Sequence, residues 1–487
     1  MFTINDKQKS HMTKSPSRTL NIFFLAMINV AAICSIKNWP LTAEYGFSSL
    51  FYFIVSSLLF FIPVSLVSAE LTTGWPERGG VYVWVREAFG HRMGFLAVWL
   101  LWIENVVWYP TILSFIAGTV AFSFNPALAN NTLYMFCVIF GAFWSATLVN
   151  LLGMKMSGWI STLGVILGTI IPGIVIITLG IIWMLAGKPL HITFGWEHFF
   201  PDLSNPTQLA LLAGVLLGFA GMEMSAVHAR EVKNPQKNFP RAILLSALII
   251  IALSVLGTLA IAIVIPQKEI NLVSGGMEAI AFFLRSYGLN WAVPLVALMV
   301  TIGALGAMST WTAGPSKGLL AAAQDGDFPP ILHKVNKHNM PVGILIFQGI
   351  IVSILGIVFL LMPNVNSSFW ILLALTSQLY LLMYILMFAA AIVLRYKKPD
   401  VPRAYKIPGG NFGMWMIAGI GLFTSLLAIV IGFFPPEQLE TGSLLFYELF
   451  LILGMGIFCA APFIILLFKK PSWNEPIPFK EETEVSR

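Results

Sequence analysis

The sequence contains little charge and almost no cysteine. Only 10% of its 487 residues are Asp, Glu, Lys or Arg, against about 25% in an average soluble protein, which excludes a soluble multidomain enzyme. The three cysteines, Cys34, Cys137 and Cys459, lie apart in apolar runs and lack the spacing of a disulfide framework or a metal site. The sequence also lacks a GxxxxGK[ST] phosphate loop and an HExxH helix. We therefore expect no cofactor, no metal and no enzymatic or ATP-driven chemistry in this chain.

The chain consists instead of apolar runs long enough to cross a membrane. Hydrophobic residues make up 57% of it, and about 20 apolar residues span the hydrocarbon core of a bilayer. We predict an all-α polytopic membrane protein with polar tails over 1–19 and 469–487 and a membrane domain over 20–468. Its twelve predicted transmembrane helices are 20–40, 47–69, 93–121, 132–152, 158–187, 208–229, 241–265, 291–323, 341–362, 369–394, 411–434 and 444–468.

The distribution of Lys and Arg predicts the orientation. Of the 28 such residues, four (Lys37, Lys188, Lys268 and Arg285) fall on one side of the predicted spans and the other 24 on the opposite side. Because cytoplasmic loops carry the excess of basic residues, we expect both termini in the cytoplasm of a multi-pass cell-membrane protein, in the inner membrane if the organism is Gram-negative. The net charge of +6 then reflects membrane topology, and no nucleic-acid partner is expected.

Two of the apolar spans are interrupted. The sixth contains Gly218 and Gly221 near its middle, and the first has small or polar residues around Ile28–Cys34 but no glycine. Interruptions at matching positions of two five-helix halves point to an inverted repeat that binds its substrate between the halves. We expect repeat one over 20–187, repeat two over 208–394, and helices 11 and 12 over 411–468.

Broken membrane helices bind ligands through their backbone. Half-helix ends offer unpaired N–H groups to a carboxylate and unpaired carbonyls to an ammonium, a combination suited to a zwitterionic amino acid. The alternative is that the glycines only permit close helix packing. The predicted substrate-binding residues are Ile28, Asn29, Val30, Ala31 and Ala32 in the first span and Gly218, Phe219, Ala220, Gly221, Met222 and Glu223 in the sixth.

Several polar side chains within the spans are candidates for coupling or gating. Glu223 follows the second break, where it either carries a proton, binds an ammonium group or holds the unwound backbone. Glu104 is about 15 Å inside the third helix, where a carboxylate is either functional or a protonated partner between helices. Trp108 shares its face and is a candidate for the cavity wall. Lys37, near the outer end of the first helix, either attracts anionic substrates or, more simply, reaches the lipid headgroups.

Three further residues have a functional and a plain interpretation. His228, near the cytoplasmic end of the sixth helix, could sense pH, although a helix C-terminus also favours histidine. Ser309 and Thr310 bring hydroxyl groups to the eighth helix. They either ligate a cation or substrate or bond back to their own helix, and the second is the more common arrangement.

Five segments resemble a known family. WPERGGVYVWVREAFG at 75–90 resembles the loop after helix two of the amino acid–polyamine–organocation (APC) transporters. The runs at 221–242 and 314–330, GMEMSAVHAREVKNPQKNFPRA and GPSKGLLAAAQDGDFPP, are similar to bacterial glutamate/γ-aminobutyrate antiporters, and YGFSSL at 45–50 and YKIPGG at 405–410 extend the likeness. The resemblance implies a LeuT-like fold of 5+5 inverted repeats plus two helices, with substrate at Ile28–Ala32 and Gly218–Met222 and an acidic residue at Glu223.

The chain departs from the antiporter pattern at four positions, one of which is Glu104, where those antiporters have a neutral residue. Ala307 stands where those antiporters have a substrate-site glutamate, Lys37 where they have a tyrosine and Thr162 where they have a lysine. Their glutamate/γ-aminobutyrate specificity therefore does not transfer directly. The missing lysine also leaves a role open for Na⁺ near Ser309 and Thr310.

The sequence as a whole predicts a secondary active amino-acid transporter that works by alternating access. Exchange is favoured over symport with H⁺ or, less so, Na⁺, and a non-transporting nutrient sensor of the same fold is a further alternative. A membrane-embedded lipid enzyme would need clustered Asp, His and Arg near one membrane face, which the sequence lacks. The expected partners are an amino acid and membrane lipids, and the expected state is a monomer or weak homodimer.

Overall fold

The computed structural model describes residues 21–76, 79–152, 164–202, 204, 209–210, 212–223, 234–338, 340–436 and 443–474. These residues form an all-α bundle. Within the described ranges there is no β-strand, only an isolated antiparallel bridge between Val335 and Pro341. The all-α class predicted from the sequence is therefore confirmed.

Nineteen α-helices are present in the described residues. In chain order they are α1 Ile22–Ile33, α2 Trp39–Ala43, α3 Ser49–Ser56, α4 Ile62–Gly74, α5 Val81–Phe89, α6 His91–Phe124, α7 Thr132–Leu151, α8 Ile171–Leu185, α9 Trp196–Phe199, α10 Leu212–Leu217, α11 Pro235–Ala262, α12 Gly275–Ser286, α13 Ala292–Ala322, α14 Pro330–His333, α15 Val342–Gly356, α16 Val358–Leu361, α17 Val365–Lys397, α18 Gly410–Ile431 and α19 Leu444–Leu467. π-Helical turns at Ser57–Phe61, Ile166–Ile170 and Ala323–Asp327 extend α4, α8 and α13.

Ten continuous helical segments of the described chain are long and apolar enough to cross a membrane. They correspond to ten of the twelve predicted spans, from Gly46–Gly74 for the second to Leu444–Leu467 for the last. The other two predicted spans, 20–40 and 208–229, are the two for which the sequence predicts an interruption. In the described residues they hold only the short helices α1, α2 and α10.

The helices α6 and α17 form the centre of the bundle. Of the ten long segments they are the most buried within the protein, whereas α19 is the most exposed and presents apolar side chains such as Leu453 and Ile457 at its outer surface. α6 packs extensively against α13 and α17. Its apolar residues are distributed around its whole circumference, as expected for a helix surrounded by other helices.

A buried ionic cluster joins the ends of α4 and α17. The Glu70 carboxylate accepts two hydrogen bonds from the Arg395 guanidinium, both at 2.6 Å. Arg403 Nε lies 3.4 Å from the same carboxylate, and the amide of Ile407 donates to it at 2.8 Å. Bidentate pairing with additional donors satisfies a carboxylate that is removed from water, so this cluster fixes two distant chain segments to each other.

Candidate functional site

The first predicted span is interrupted later than the sequence suggests. α1 runs unbroken through Ile28–Ala32, so the expectation of a break there is wrong. The interruption is at Cys34–Ser35, where Ser35 has an extended backbone with φ −143° and ψ 131°. The Ser35 hydroxyl accepts the amide of Lys37 at 3.3 Å, and Pro40 lies in the first turn of α2. A capping serine and an early proline start a new helix, which explains the position of the break.

The second interruption lies at the two glycines. α10 ends at Leu217, and the backbone over Gly218–Gly221 is not helical. Gly221 has φ +120°, a conformation that is essentially restricted to glycine. A Cβ atom at this position would lie 3.0 Å from the ring of Trp311. The prediction of a break at Gly218–Gly221 is confirmed, and the conformation requires glycine.

The backbone amides at the two breaks differ in their hydrogen bonding. Among the described residues, no hydrogen bond uses the amide of Ser35 or of Ile36. At the second break the amide of Gly221 donates to the hydroxyl of Tyr384 at 2.9 Å. Unpaired amides at the end of an interrupted helix are suited to an anionic group.

A cavity lies between the two breaks and the central helices. It holds about 750 Å³ of empty space, with open solvent at its mouth included. Its walls come from both broken spans and from α6, α13, α17 and the π-helical turn before α8. The lining residues that bear on its chemistry are Ala32, the continuous stretch 33–38, Glu104, Asn105, Trp108, Leu217, Ala220, Ala307, Trp311 and Tyr380.

Comparison with known proteins identifies the family. The family model described as "Amino acid permease" matches residues 18–458. This chain belongs to the amino acid permease family. An uncharacterized transporter of Legionella pneumophila is 47% identical to it over 447 residues, which is 92% of this chain and 96% of that protein.

Relatives with named substrates differ in the charge of what they carry. A glutamate/gamma-aminobutyrate antiporter of Lactococcus lactis is 32% identical to the permease over 454 residues, or 92% of this chain and 90% of that protein. A probable agmatine/putrescine antiporter of the same species is 25% identical over 85% of this chain and 88% of that protein. The permease is therefore a multi-pass membrane transport protein. Because these relatives carry differently charged substrates, its own substrate has to be inferred from the residues that line its cavity.

Lys37 lies inside the permease rather than at its surface. Its side chain is 2% exposed and lines the cavity, so the expectation that it reaches the headgroups is wrong. Its ammonium nitrogen is 3.3 Å from the Thr111 hydroxyl, 5.0 Å from the centre of the Phe369 ring and 5.6 Å from that of Trp108. The side chain thus connects the first break to α6 and α17.

Glu104 also lines the cavity. Its carboxylate is buried and accepts a 2.5 Å hydrogen bond from the side-chain amide of Asn105. Glu104 and Trp108 are one helical turn apart on α6 and both line the cavity. A carboxylate in this position is available either to an ammonium group or to a proton.

Glu223 is held between two tyrosines of α17. The hydroxyl groups of Tyr380 and Tyr384 each donate to one of its carboxylate oxygens, Tyr384 at 2.6 Å. The two tyrosine rings stack with centroids 4.7 Å apart. Because Tyr384 also accepts the amide of Gly221, this arrangement fastens the broken segment to α17. Of the three roles that the sequence left open for Glu223, the geometry favours holding the unwound backbone.

Trp311 lies between the two breaks. Its indole N–H donates to the carbonyl of Ala32 at 3.1 Å, and its ring packs beside Gly221 and 6.2 Å from the ring of Trp108. Ala307, one turn earlier on α13, lines the cavity with only a methyl group. The space near Ala307 is therefore available to a ligand side chain.

Some predicted site residues lie away from the cavity. Asn29 donates to Ser246 of α11 at 3.2 Å, and Val30 and Met222 are buried without lining the cavity, whereas Gly218 and Phe219 line a smaller adjacent cavity. Ser309 donates to Asn150 of α7 at 3.3 Å. The side chains of Ile28, Ala31 and Thr310 and the whole of His228 lie outside the described residues.

Sequence reasoning missed several residues of the cavity and its support. Tyr380, Tyr384 and Trp311 are the main ones, together with Ser35 of the first break. Two tyrosines four residues apart in the middle of an apolar span were the available signal, because mid-membrane polar groups need partners. In the described chain no group of three His, Cys, Asp or Glu side chains could hold a metal ion.

Proposed function

We propose that this permease is a secondary active amino-acid exchanger that works by alternating access. The proposal rests mainly on the cavity between two interrupted helices, with two amides at one break that have no hydrogen-bond partner in the described part of the chain. Membership of the amino acid permease family supports transport. The glutamate/gamma-aminobutyrate antiporter among its relatives supports exchange.

The two charged ends of an amino acid find complementary groups at this cavity. The substrate carboxylate binds the amides of Ser35 and Ile36, which have no partner among the described residues. The substrate ammonium binds the carbonyls near Gly218–Ala220 or the carboxylate of Glu104. Helix ends and freed backbone groups bind ions without carrying a charge of their own, so the empty site is stable in the membrane.

A second candidate function is proton-coupled symport. It is favoured by Glu104, a carboxylate that lines the cavity and pairs only with an amide among the described residues. A carboxylate in that position accepts a proton on one side of the membrane and releases it on the other. Sodium coupling through Ser309 is less favoured, because its hydroxyl bonds to Asn150 away from the cavity.

The architecture proposed with this function is a pair of inverted repeats, 20–187 and 208–394, followed by helices at 411–468. Interruptions in the first and sixth spans, five spans apart, support it. The excess of Lys and Arg supports an orientation with both termini in the cytoplasm. We take the working unit to be a monomer or weak homodimer, since one chain contains the complete cavity.

Tracer counterflow in proteoliposomes tests the proposal. Candidate substrates are first selected by the rise in melting temperature that a bound ligand causes, across the twenty amino acids, γ-aminobutyrate and polyamines. Vesicles preloaded with an unlabelled substrate are expected to accumulate the labelled one several-fold faster than empty vesicles. Protein-free liposomes are the control.

Two results separate the alternatives. Accumulation in empty vesicles that is driven by a proton gradient, with no acceleration by preloading, would replace exchange with symport. Saturable binding of an amino acid without flux under either condition would leave a sensor and contradict transport.

A further inference from the structure

Lys37 lies at the cavity wall, and no acidic side chain among the described residues forms an ion pair with its ammonium group. The burial of this lysine within the protein also separates it from lipid headgroups and bulk water. Burial disfavours an unpaired ammonium, and an anionic group that enters the cavity would stabilise the charged form of Lys37.

The hydrogen bonds of Lys37 are incomplete. An ammonium has three N–H donors, and Thr111 accepts one of them at 3.3 Å. The hydroxyl of Thr111 donates its own hydrogen to the carbonyl of Trp108 at 2.8 Å, which leaves its oxygen free to accept. The rings of Trp108 and Phe369 hold the cation through their π faces. Two ammonium donors thus lack an acceptor among the described residues.

The ammonium and the free backbone amides lie on different parts of the wall. The amides belong to Ser35 and Ile36 at the break, whereas the Lys37 side chain reaches across to Thr111 on α6. Glu104 lies seven residues before Thr111, about 10 Å along the helix axis. The cavity wall therefore offers two separate anion-binding groups, the backbone amides at the break and the Lys37 ammonium. Glu104 is a third group that could bind a cation.

We propose that Lys37 determines substrate specificity, with its ammonium binding a second acidic group on the side chain of the transported amino acid. A carboxylate, sulfinate or sulfonate has this chemistry, and Ala307 leaves room for a side chain in the cavity. The inference rests on the proposed function, because it assigns the main-chain carboxylate and ammonium of the substrate to the broken helices. A neutral substrate leaves the Lys37 charge unpaired and is bound less well.

Amino-acid pairs that differ only in the side-chain group test the proposal. The exchange rate of glutamate is compared with that of glutamine, and the rate of aspartate with that of asparagine. Both comparisons are made in proteoliposomes at about pH 6, where acidic side chains are ionised. The wild type is expected to favour the acidic member by at least about 10-fold in kcat/KM. Lys37→Met is expected to abolish that ratio and Lys37→Arg to retain most of it.

The matched control is Lys268→Met, which removes the same charge from an exposed position and is expected to leave the ratio unchanged. If Lys37→Met is too unstable to transport, the ratio is measured by binding, from the melting temperatures of the wild type and Lys37→Gln with glutamate or glutamine.

Three outcomes are distinguishable. A wild type that exchanges amino acids but treats both members of each pair alike would overturn the role of Lys37 and leave the exchanger in place. A Lys37→Met variant that loses both members equally would also overturn it, because the lysine would then serve the main chain or the fold. Absence of exchange with any amino acid would contradict the proposed function itself.

Discussion

Single polar residues inside the bundle pair with partners far away in the sequence. Glu223 binds Tyr380 and Tyr384 of α17, and the indole of Trp311 binds the carbonyl of Ala32. In a membrane, backbone and side-chain polar groups must be satisfied inside the protein. These bonds therefore hold each irregular segment against a continuous helix.

Tyr384→Phe tests the fastening of the second break. The change removes the acceptor of the Gly221 amide and one of the two donors to Glu223. A buried group that loses its partner costs about 1–3 kcal/mol. We expect a lower melting temperature in detergent and a reduced rate of exchange.

The control for this substitution is Tyr396→Phe, at a tyrosine that is 56% exposed. It is expected to change stability by no more than about 0.5 kcal/mol. Equal melting temperatures and exchange rates in the two variants would show that Tyr384 does not hold the break.

At this scale the sequence indicates which residues are unusual but not what they contact. The depth of Glu104 and of Lys37 follows from counting residues along a helix. The direction of the Lys37 side chain does not, because a lysine near a helix end reaches outward in most membrane proteins. The tyrosine pair around Glu223 escaped prediction because it depends on contacts across more than 150 positions.

At the scale of helices, the lengths of the apolar runs in the sequence predict most of the observed helical segments. The ten long segments match predicted spans closely; for example, Thr132–Leu151 was predicted as 132–152. The break at Gly218–Gly221 was also predictable, because glycine is the residue that permits it. The first break was misplaced because small residues suggested Ile28–Ala32, whereas the cap at Ser35 and the proline at Pro40 determine it.

Gly221→Ala tests the second break as an element of structure. The backbone at this position has φ +120°, a conformation that an L residue such as alanine adopts at a cost of about 1–3 kcal/mol. The Cβ atom of the alanine would also lie 3.0 Å from the Trp311 ring. We expect most of the exchange activity to be lost, with a lower melting temperature.

Gly141→Ala in α7 is the matched control, since no atom lies within 4 Å of the added carbon. Alanine is favoured over glycine within a helix by up to about 1 kcal/mol, so this variant is expected to be at least as stable as the wild type. Unimpaired exchange by Gly221→Ala would contradict the described backbone.

At the scale of the whole molecule, a few buried polar clusters connect chain segments that are distant in sequence. The cluster of Glu70, Arg395 and Arg403 joins α4 to α17 and to the loop before α18. The cluster therefore holds these segments against one another. The family and the all-α bundle were predictable from motifs and hydropathy. The ionic contact between the ends of α4 and α17 was not.

Glu70→Gln tests that connection. Breaking a buried ion pair by removing one partner costs about 3–5 kcal/mol, so a large fall in melting temperature is expected. Glu87→Gln is the control, because Glu87 pairs with Lys398 at a partly exposed position, where a solvated pair contributes about 0–1 kcal/mol. Similar melting temperatures for the two variants would contradict a structural role for the cluster.

The most direct test of the account is an experimental structure of the permease with a transported amino acid bound. We predict ligand density in the cavity between the two breaks, with its carboxylate about 2.7–3.2 Å from the amides of Ser35 and Ile36. Its ammonium should face Gly218–Ala220 or Glu104. Ligand bound elsewhere, or an uninterrupted helix through Cys34–Ser35, would contradict the account.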